Sequence, residues 1–251
     1  MKAILELAGE HPRYGYRRIW ALLRRDGWLV NRKRVQRLWR VHGLKVLRKR
    51  HKRRRLGSSA NSCTRRKAER MNQVWTYDFV HDVVEDGRQL KFLTVVDEYT
   101  RECLALEVGW TFTSNDVIAV LEVLILERGP CEFVRSDNGP EFIAKAVREW
   151  LEARGSATAF IEPGAPWENA YIETFNGKVR DELLDREMIT CLAEAKHLAA
   201  RHRFQYNHER PHSSLGYRTP AEFASGCSTS GSATLRLRSS TRKRLQTVAL
   251  S

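Results

Sequence analysis

Apolar residues recur at helical spacing in two stripes within residues 16–43. The first stripe consists of Ile19, Leu22 and Leu23, and the second of Val35, Leu38 and Trp39. The pair Asp26-Gly27 separates the stripes, Asn31 is a favourable N-cap, and Gly43 ends the second stripe. The pattern therefore predicts two short helices joined by a tight turn.

The second of these helices is basic on its polar side. Its basic residues are Arg32, Lys33, Arg34, Arg37 and Arg40. A basic helix that follows another helix and a tight turn is typical of helix-turn-helix DNA readers. The alternative is a helical pair with a solvated charged face. The pattern favours DNA contact, and the predicted contacts are Arg32, Lys33, Arg34 and Arg37.

From about residue 72 the hydrophobic pattern changes to that of strands and of alternating strands and helices. Three successive strands, which form a meander, are predicted at residues 73–84, 89–97 and 102–108. One predicted helix begins at residue 114, and three others cover 142–154, 170–185 and 193–206. Two further strands are predicted at 132–136 and 158–161. This order predicts an α/β fold with a mixed sheet and helices on both faces.

Charge divides the chain into a basic arm and an acidic body. Residues 1–70 carry 23 Lys and Arg against four Asp and Glu, a net charge of +19, whereas residues 71–224 have a net charge of −10. A basic arm suits a polyanion such as DNA. Residues 45–55 hold eight of these cations and predict a phosphate-binding linker. The predicted phosphate contacts are Lys49, Arg50, Arg53 and Arg54.

The charge and hydrophobic patterns together give a predicted domain division. It places a helical domain at residues 1–44, a basic linker at 45–70, an acidic α/β domain at 71–224 and a disordered basic tail at 225–251. The five cysteines are scattered and form no CxxC pair, so neither a disulfide framework nor a zinc site is expected. No stretch is long and apolar enough for a membrane span or a signal peptide, which predicts a cytoplasmic protein.

Three carboxylates stand at positions that suit chemistry. Asp78 interrupts an apolar strand, where a carboxylate is costly unless it is paired or binds a cation. Asp137 follows a predicted strand, at the edge where α/β sheets bind ligands. Glu173 lies within a predicted helix. Each also has an ordinary explanation, respectively an arginine partner, a turn and a surface helix position.

Together the three carboxylates match the DDE triad of the retroviral-integrase-like transposases. The 35 residues 138–172 separate Asp137 from Glu173, which is the last spacing of the D,D(35)E signature, and Arg180 stands where the family has Lys or Arg. Further motifs follow in the family's order: VWTYDFV, LTVVDEYTRECLALEV, RSDNGPEF, PWENAYIETFNGKVRDE and YNHERPHSSLGYRTPAEF. Over residues 11–224 the chain resembles the OrfB-type transposases of bacterial insertion sequences.

The resemblance implies a ribonuclease-H-like catalytic domain at residues 71–224 and a DNA transposase activity. Asp78 would bridge two Mg²⁺ or Mn²⁺ ions, and Asp137 and Glu173 would each bind one, since hard oxygen ligands suit these ions. The implied reaction nicks the ends of an insertion sequence and joins the 3′-hydroxyl to DNA. The implied partners are DNA, further copies of the chain, which would form a homo-multimer on DNA, and a first-reading-frame protein.

Several residues around the triad are secondary candidates for DNA contact. Arg180 and Lys178 are expected to share the groove of Glu173, and Asn138 and Asn169 to lie close to the metals or the DNA. His208 and His212 lack two further metal ligands, so their motif predicts packing or DNA contact. Two alternative functions are a non-catalytic DNA-binding regulator and a nuclease that cuts without joining.

Overall fold

A computed structural model describes residues 1–46, 67–136, 141–154, 156–160 and 170–227. The predicted phosphate-binding residues Lys49, Arg50, Arg53 and Arg54 lie outside these ranges, as do Asp137, Asn138 and Asn169. None of the helices in the described ranges combines the length and hydropathy needed to cross a membrane.

The N-terminal part of the chain, residues 1–46, forms a helical module of three helices. They are α1 (Lys2–Glu10), α2 (Tyr16–Arg25) and α3 (Arg32–Val41). The apolar stripes of α2 and α3 meet, and α1 and Tyr14 cover them, so that Ile19 and Val35 are fully buried. Asn31 caps α3 as predicted, since its Oδ1 accepts the backbone N–H of Arg34 at 2.8 Å. The sequence pattern did not predict α1.

A mixed five-stranded sheet forms the centre of the second part of the chain, residues 67–227, here called the sheet module. Its strands are β1 (Val74–Val83), β2 (Gln89–Asp97), β3 (Cys103–Gly109), β4 (Phe133–Ser136) and β5 (Ala157–Phe160). Their order is β3-β2-β1-β4-β5, with β1 at the centre. The first three strands pair antiparallel, whereas β4 pairs parallel with both β1 and β5. The predicted mixed sheet is confirmed.

Helices cover both faces of the sheet, also as predicted. On one face, α4 (Ser114–Arg128) and α5 (Glu141–Ala153) pack on Trp75 and Leu93. On the other face, α6 (Ala170–Val179) and α7 (Leu192–His208) pack on Val80 and Phe92. Because side chains alternate along a strand, odd-numbered positions of β1 face α4 and even-numbered positions face α6. This alternation decides which face receives Asp78.

Three predicted boundaries differ from the structure. The helix predicted for residues 170–185 is α6 followed by one π-helical turn, Arg180–Leu184. The predicted tail begins inside a helix at 220–227, here α8, in which the Cys227 thiol contacts the Phe223 carbonyl. The helical module also extends past residue 44, since Leu44 and Val46 pack on its core. At residue 44 it is an apolar contact that continues the structure beyond the predicted boundary.

Candidate active site

Asp78 lies on the central strand and on the face of the sheet that α6 covers. Its carboxylate accepts two hydrogen bonds of 2.7 Å, one to Oδ1 from the backbone N–H of Phe79 and one to Oδ2 from Nδ2 of Asn176. The residue is half-buried rather than enclosed. Because both bonds come from neutral donors, the carboxylate is oriented but its negative charge is not neutralised by them.

A buried polar contact connects Asp78 to the neighbouring strand and to helix α6. Thr94 lies directly opposite Asp78 in the β1–β2 register. Its hydroxyl lies 3.0 Å from both the Asp78 carbonyl oxygen and Oδ1 of Asn176. Thr94 and Asn176 are both buried, where unsatisfied polar groups would be costly. The contact therefore fixes the rotation of α6 relative to the sheet.

Sequence reasoning missed Asn176 and Thr94. The signal for Asn176 was present, because it stands three residues after Glu173 and an i, i+3 pair shares one helix face. Thr94 gave no local signal, since it becomes significant only through the strand register that places it against Asp78. Both residues position other side chains, since Asn176 orients the Asp78 carboxylate and Thr94 contacts the Asn176 amide.

Glu173 is exposed on α6, one helical turn before Asn176. Its neighbours Ile172 and Phe175 are buried in the core, which holds the helix against the sheet. Within the described parts of the chain, no group pairs with the Glu173 carboxylate. Since Cβ atoms of an i, i+3 pair are about 5–6 Å apart, the Asn176–Asp78 bond brings the Glu173 side of α6 close to Asp78.

Strand β4 ends at Ser136, immediately before Asp137. Next to this end, the Arg135 guanidinium forms a buried ion pair of 2.6 Å with Glu98, and both side chains are almost inaccessible to solvent. In the strand register, Arg135 lies beside Thr76 of the parallel strand β1. A buried ion pair that is broken on one side is strongly destabilising, so this contact anchors the strand end.

The described residues fit a site for a hard divalent cation. Asp78 and Glu173 supply carboxylate oxygens on adjacent elements, and oxygen donors of this kind suit Mg²⁺ and Mn²⁺. Within the described ranges, no group of three or more His, Cys, Asp or Glu residues could hold a metal ion. The third predicted carboxylate, Asp137, lies outside those ranges.

Arg180 and Lys178 differ in their surroundings. Arg180 is exposed, seven residues after Glu173. Burial lowers the pKa of His81 on β1, and the charges of Lys91 and Arg180 add to this effect. Lys178 follows Glu173 by five residues, which turns it about 140° around the helix. Lys178 is partly buried, and its Nζ lies 5.5 Å from the centre of the Tyr206 ring. The expectation that Lys178 shares the Glu173 groove is wrong for this reason.

The YNHERPH motif forms internal contacts. Asn207 bonds both the backbone N–H and the carbonyl of Cys103 on β3, each at 2.9 Å. His212 is buried with its ring nearly perpendicular to that of Tyr206, and burial and the charge of Arg210 lower its pKa to about 2. His208 is exposed beside Phe204. Of the two predicted roles, packing is the one that these contacts show.

The basic residues of α3 face solvent. Arg32, Lys33, Arg34 and Arg37 are all exposed, whereas Val35 and Trp39 hold the helix on the module core. These four cations are therefore accessible from solvent, and their contact with DNA stays a prediction.

Family models match nearly the whole of the described chain. Two models, both described as an integrase core domain, match residues 68–166 and 154–220. A model described as an HTH-like domain matches residues 1–53.

The chain is similar to two proteins of bacterial insertion elements over most of its length. It is 42% identical over 221 residues to the insertion element IS407 uncharacterized 31.7 kDa protein of Burkholderia multivorans, covering 88% of this chain and 79% of that protein. It is 31% identical over 235 residues to transposase InsD for insertion element IS2A/D/F/H/I/K of Escherichia coli, covering 88% of this chain and 76% of that protein.

Among solved structures, the chain is similar in fold to a chain of a viral intasome. The cryo-electron microscopy structure of the simian T-cell lymphotropic virus intasome in complex with the PP2A regulatory subunit B56 gamma gives a TM-score of 0.54 at 14% identity. The match covers 88% of this chain and 74% of that one. This likeness concerns the fold, and it agrees with the ribonuclease-H-like sheet expected from the sequence.

Proposed function

Because the chain belongs to the family of insertion-element transposases that carry an integrase core domain, it is the catalytic subunit of a DNA transposase, and we propose that Asp78, Asp137 and Glu173 form its catalytic carboxylate set. The observation that carries this proposal is the 2.7 Å hydrogen bond from Asn176 to Asp78. It joins the helix that bears Glu173 to the carboxylate on the central strand.

The strand register supports the inclusion of Asp137. Thr76 on β1 and Arg135 on β4 lie side by side in parallel strands. Asp78 follows Thr76 by two residues, and Asp137 follows Arg135 by two residues. Because β1 and β4 are parallel, and each aspartate lies two residues beyond its member of the Thr76–Arg135 pair, Asp78 and Asp137 are expected at the same level of the sheet.

The three carboxylates would hold two divalent ions, Mg²⁺ or Mn²⁺. Bound there, such ions lower the pKa of an attacking water or 3′-hydroxyl and stabilise the charge on the leaving oxygen. Asp78, oriented by Asn176, presents its carboxylate from the sheet, and Glu173 presents its carboxylate from α6. The exposed Arg180, two turns along the same side, is positioned to neutralise a DNA phosphate.

The proposed reaction nicks DNA at the ends of the element and joins the freed 3′-hydroxyl to target DNA. Residues 1–46 and the basic residues that follow would bind DNA, and residues 67–227 would form the catalytic domain. We also infer that the chain acts as a multimer on DNA with a first-reading-frame partner, in the cytoplasm, where a bacterial chromosome is accessible. Asn138 and Asn169 remain predicted DNA contacts.

A joining assay tests the proposal and separates it from the two alternatives. The full chain is incubated with Mn²⁺ and DNA that carries the element ends. Joined products support the transposase reaction, cleavage without joining indicates a nuclease, and binding without cleavage indicates a regulator.

Three carboxylate variants identify the residues responsible. Asp78→Asn, Asp137→Asn and Glu173→Gln are each expected to abolish both steps. Glu127→Gln is the matched control, because Glu127 is an exposed carboxylate on α4, across the sheet. Normal joining by Asp137→Asn would contradict the proposed set.

A further inference from the structure

Among the residues that the structure describes, the helical module docks on the sheet module through ion pairs of one polarity. Arg13, Arg18 and Arg25 supply the cations, and the sheet module supplies the carboxylates. The distances between nitrogen and oxygen are 3.9 Å for Arg13–Asp185, 3.8 Å for Arg18–Glu182 and 3.1 Å for Arg25–Glu222. Arg25 also donates to the backbone carbonyls of His208 and Glu209. This docking interface is therefore complementary in charge.

Glu182 is the partly buried centre of the docking interface. Both of its carboxylate oxygens accept hydrogen bonds from Arg210, at 2.7 and 2.6 Å, and Arg18 of the helical module approaches one of them. The Arg210 side chain is only 3% exposed. The Tyr14 ring, also from the helical module, lies beside the Arg210 guanidinium. One carboxylate thus binds an arginine from each module.

The surroundings of Glu182 contain an excess of cations. Lys178 lies among Arg18, Arg101 and Arg210, and burial together with the charge of Arg210 lowers its pKa to about 7. Bonding to Arg210 keeps the pKa of Glu182 below its ordinary value although burial opposes this. Glu182 therefore stays ionised and offsets the repulsion between these cations.

A continuous helical segment connects Glu182 to Glu173. Helix α6 runs into the π-helical turn that contains Glu182, nine residues beyond Glu173, which corresponds to about 13 Å along a helix axis. Phe175, Val179 and Leu183 are buried along the segment. A shift of Glu182 is consequently transmitted to Glu173 by a packed, rigid element.

The two basic helices of the module have separate partners. Arg18 and Arg25 of α2 contact the sheet module, whereas the basic residues of α3 face solvent. Docking therefore leaves the α3 surface available to DNA while α2 is held against the Glu173 segment.

We propose that the docked helical module is a positioning element of the active site, which through Glu182 holds the helix that carries Glu173. The coupling to metal binding rests on the proposed role of Glu173. Separation of the modules then loosens residues 170–184 and weakens metal binding at Asp78 and Glu173, even without DNA.

The test is a charge reversal of the two peripheral arginines, Arg13→Glu with Arg25→Glu, in the full chain. Hydrogen–deuterium exchange is expected to quicken in residues 170–184 as well as in α2. The dissociation constant for Mn²⁺, followed by electron paramagnetic resonance, is expected to rise about threefold to tenfold. Adding Asp185→Arg and Glu222→Arg, which restores opposite charges, should recover most of both effects.

Arg24→Glu is the matched control, because Arg24 is an exposed neighbour of Arg25 with no ion pair among the described residues. Faster exchange confined to residues 1–46, with unchanged exchange in 170–184, would overturn the proposal, as would equal effects of Arg24→Glu. Should the double reversal unfold the module, Arg25→Glu with and without Glu222→Arg repeats the comparison. If Asp78→Asn leaves Mn²⁺ affinity unchanged, the proposed metal site fails, and the exchange measurement still decides whether docking orders the Glu173 segment.

Discussion

The two faces of the sheet are covered by helices of similar size but differ in chemistry. The face under α4 and α5 is apolar, with Trp75, Leu93 and Leu121 fully buried. The face under α6 and α7 also has an apolar core, but the polar pair of Asp78 and Asn176 interrupts it. Beyond the sheet, the same helical segment carries a further polar contact, that of Glu182 with Arg210. Buried polar groups need partners at defined distances. The first face thus contributes stability, and the second contributes stability and a fixed geometry.

The largest expected difference between the faces is in activity. Asp78→Asn should lower DNA joining at least about 10³-fold, because removing one member of a catalytic set removes the function of the set. The measurement is the joining rate of folded protein, with thermal unfolding as the control. A variant that loses stability in proportion to activity would place Asp78 in the fold rather than in the chemistry.

The apolar face should respond in stability instead. Leu121→Ala is expected to lower the free energy of unfolding by about 2–5 kcal/mol, since Leu121 is fully buried and its truncation leaves a cavity. Urea denaturation measures this change. Leu126→Ala, on the same helix but 80% exposed, should change it by less than about 0.5 kcal/mol. Joining per folded molecule should stay unchanged in both.

A smaller effect is expected where the polar face positions the carboxylate. Asn176→Ala should weaken Mn²⁺ binding about tenfold, because it removes the donor that orients Asp78. Thr94→Val, which keeps the volume and removes the hydroxyl, should have a weaker effect in the same direction. Unchanged Mn²⁺ affinity in Asn176→Ala with reduced stability would show that the contact serves folding alone.

The smallest effect concerns pH and the cation-rich region beside Glu182. The pKa of Lys178 lies near 7 in the folded chain, mainly because of burial, and near 10.5 when unfolded. At pH values between these two pKa values, Lys178 is protonated in the unfolded chain and mostly neutral in the folded chain. Because the unfolded chain then binds more protons, the free energy of unfolding rises with pH. From pH 7 to 9, wild type should therefore gain stability relative to Lys178→Met. Parallel curves would show that Lys178 keeps its ordinary pKa.

Residues with local patterns were predicted well from the sequence. The strands of the meander, the cap at Asn31 and the helix that bears Glu173 follow from alternation, capping and helical spacing. These features depend on neighbours within a few positions. The family and its DNA transposase activity, which the resemblance implied, are also confirmed by the relatives.

Features that depend on distant contacts were not predicted. Lys178 was assigned to DNA because it is charged and near Glu173, but the helix turns it toward Tyr206. The docking of α2 through Arg18 and Arg25 joins residues more than 160 positions apart, and no periodicity indicates such a contact. Helix α1 completes the core of the module only because Ile4 reaches it in the folded state.

The contact of Asn207 with Cys103 protects one end of an edge strand. Strand β3 is an edge strand, and edge strands can add a strand from another molecule. The Asn207 amide occupies both backbone groups of Cys103, and Arg203 adds a second donor to the same carbonyl. Strand addition at the start of β3 is thereby blocked, and a second chain that pairs with this sheet would have to do so elsewhere.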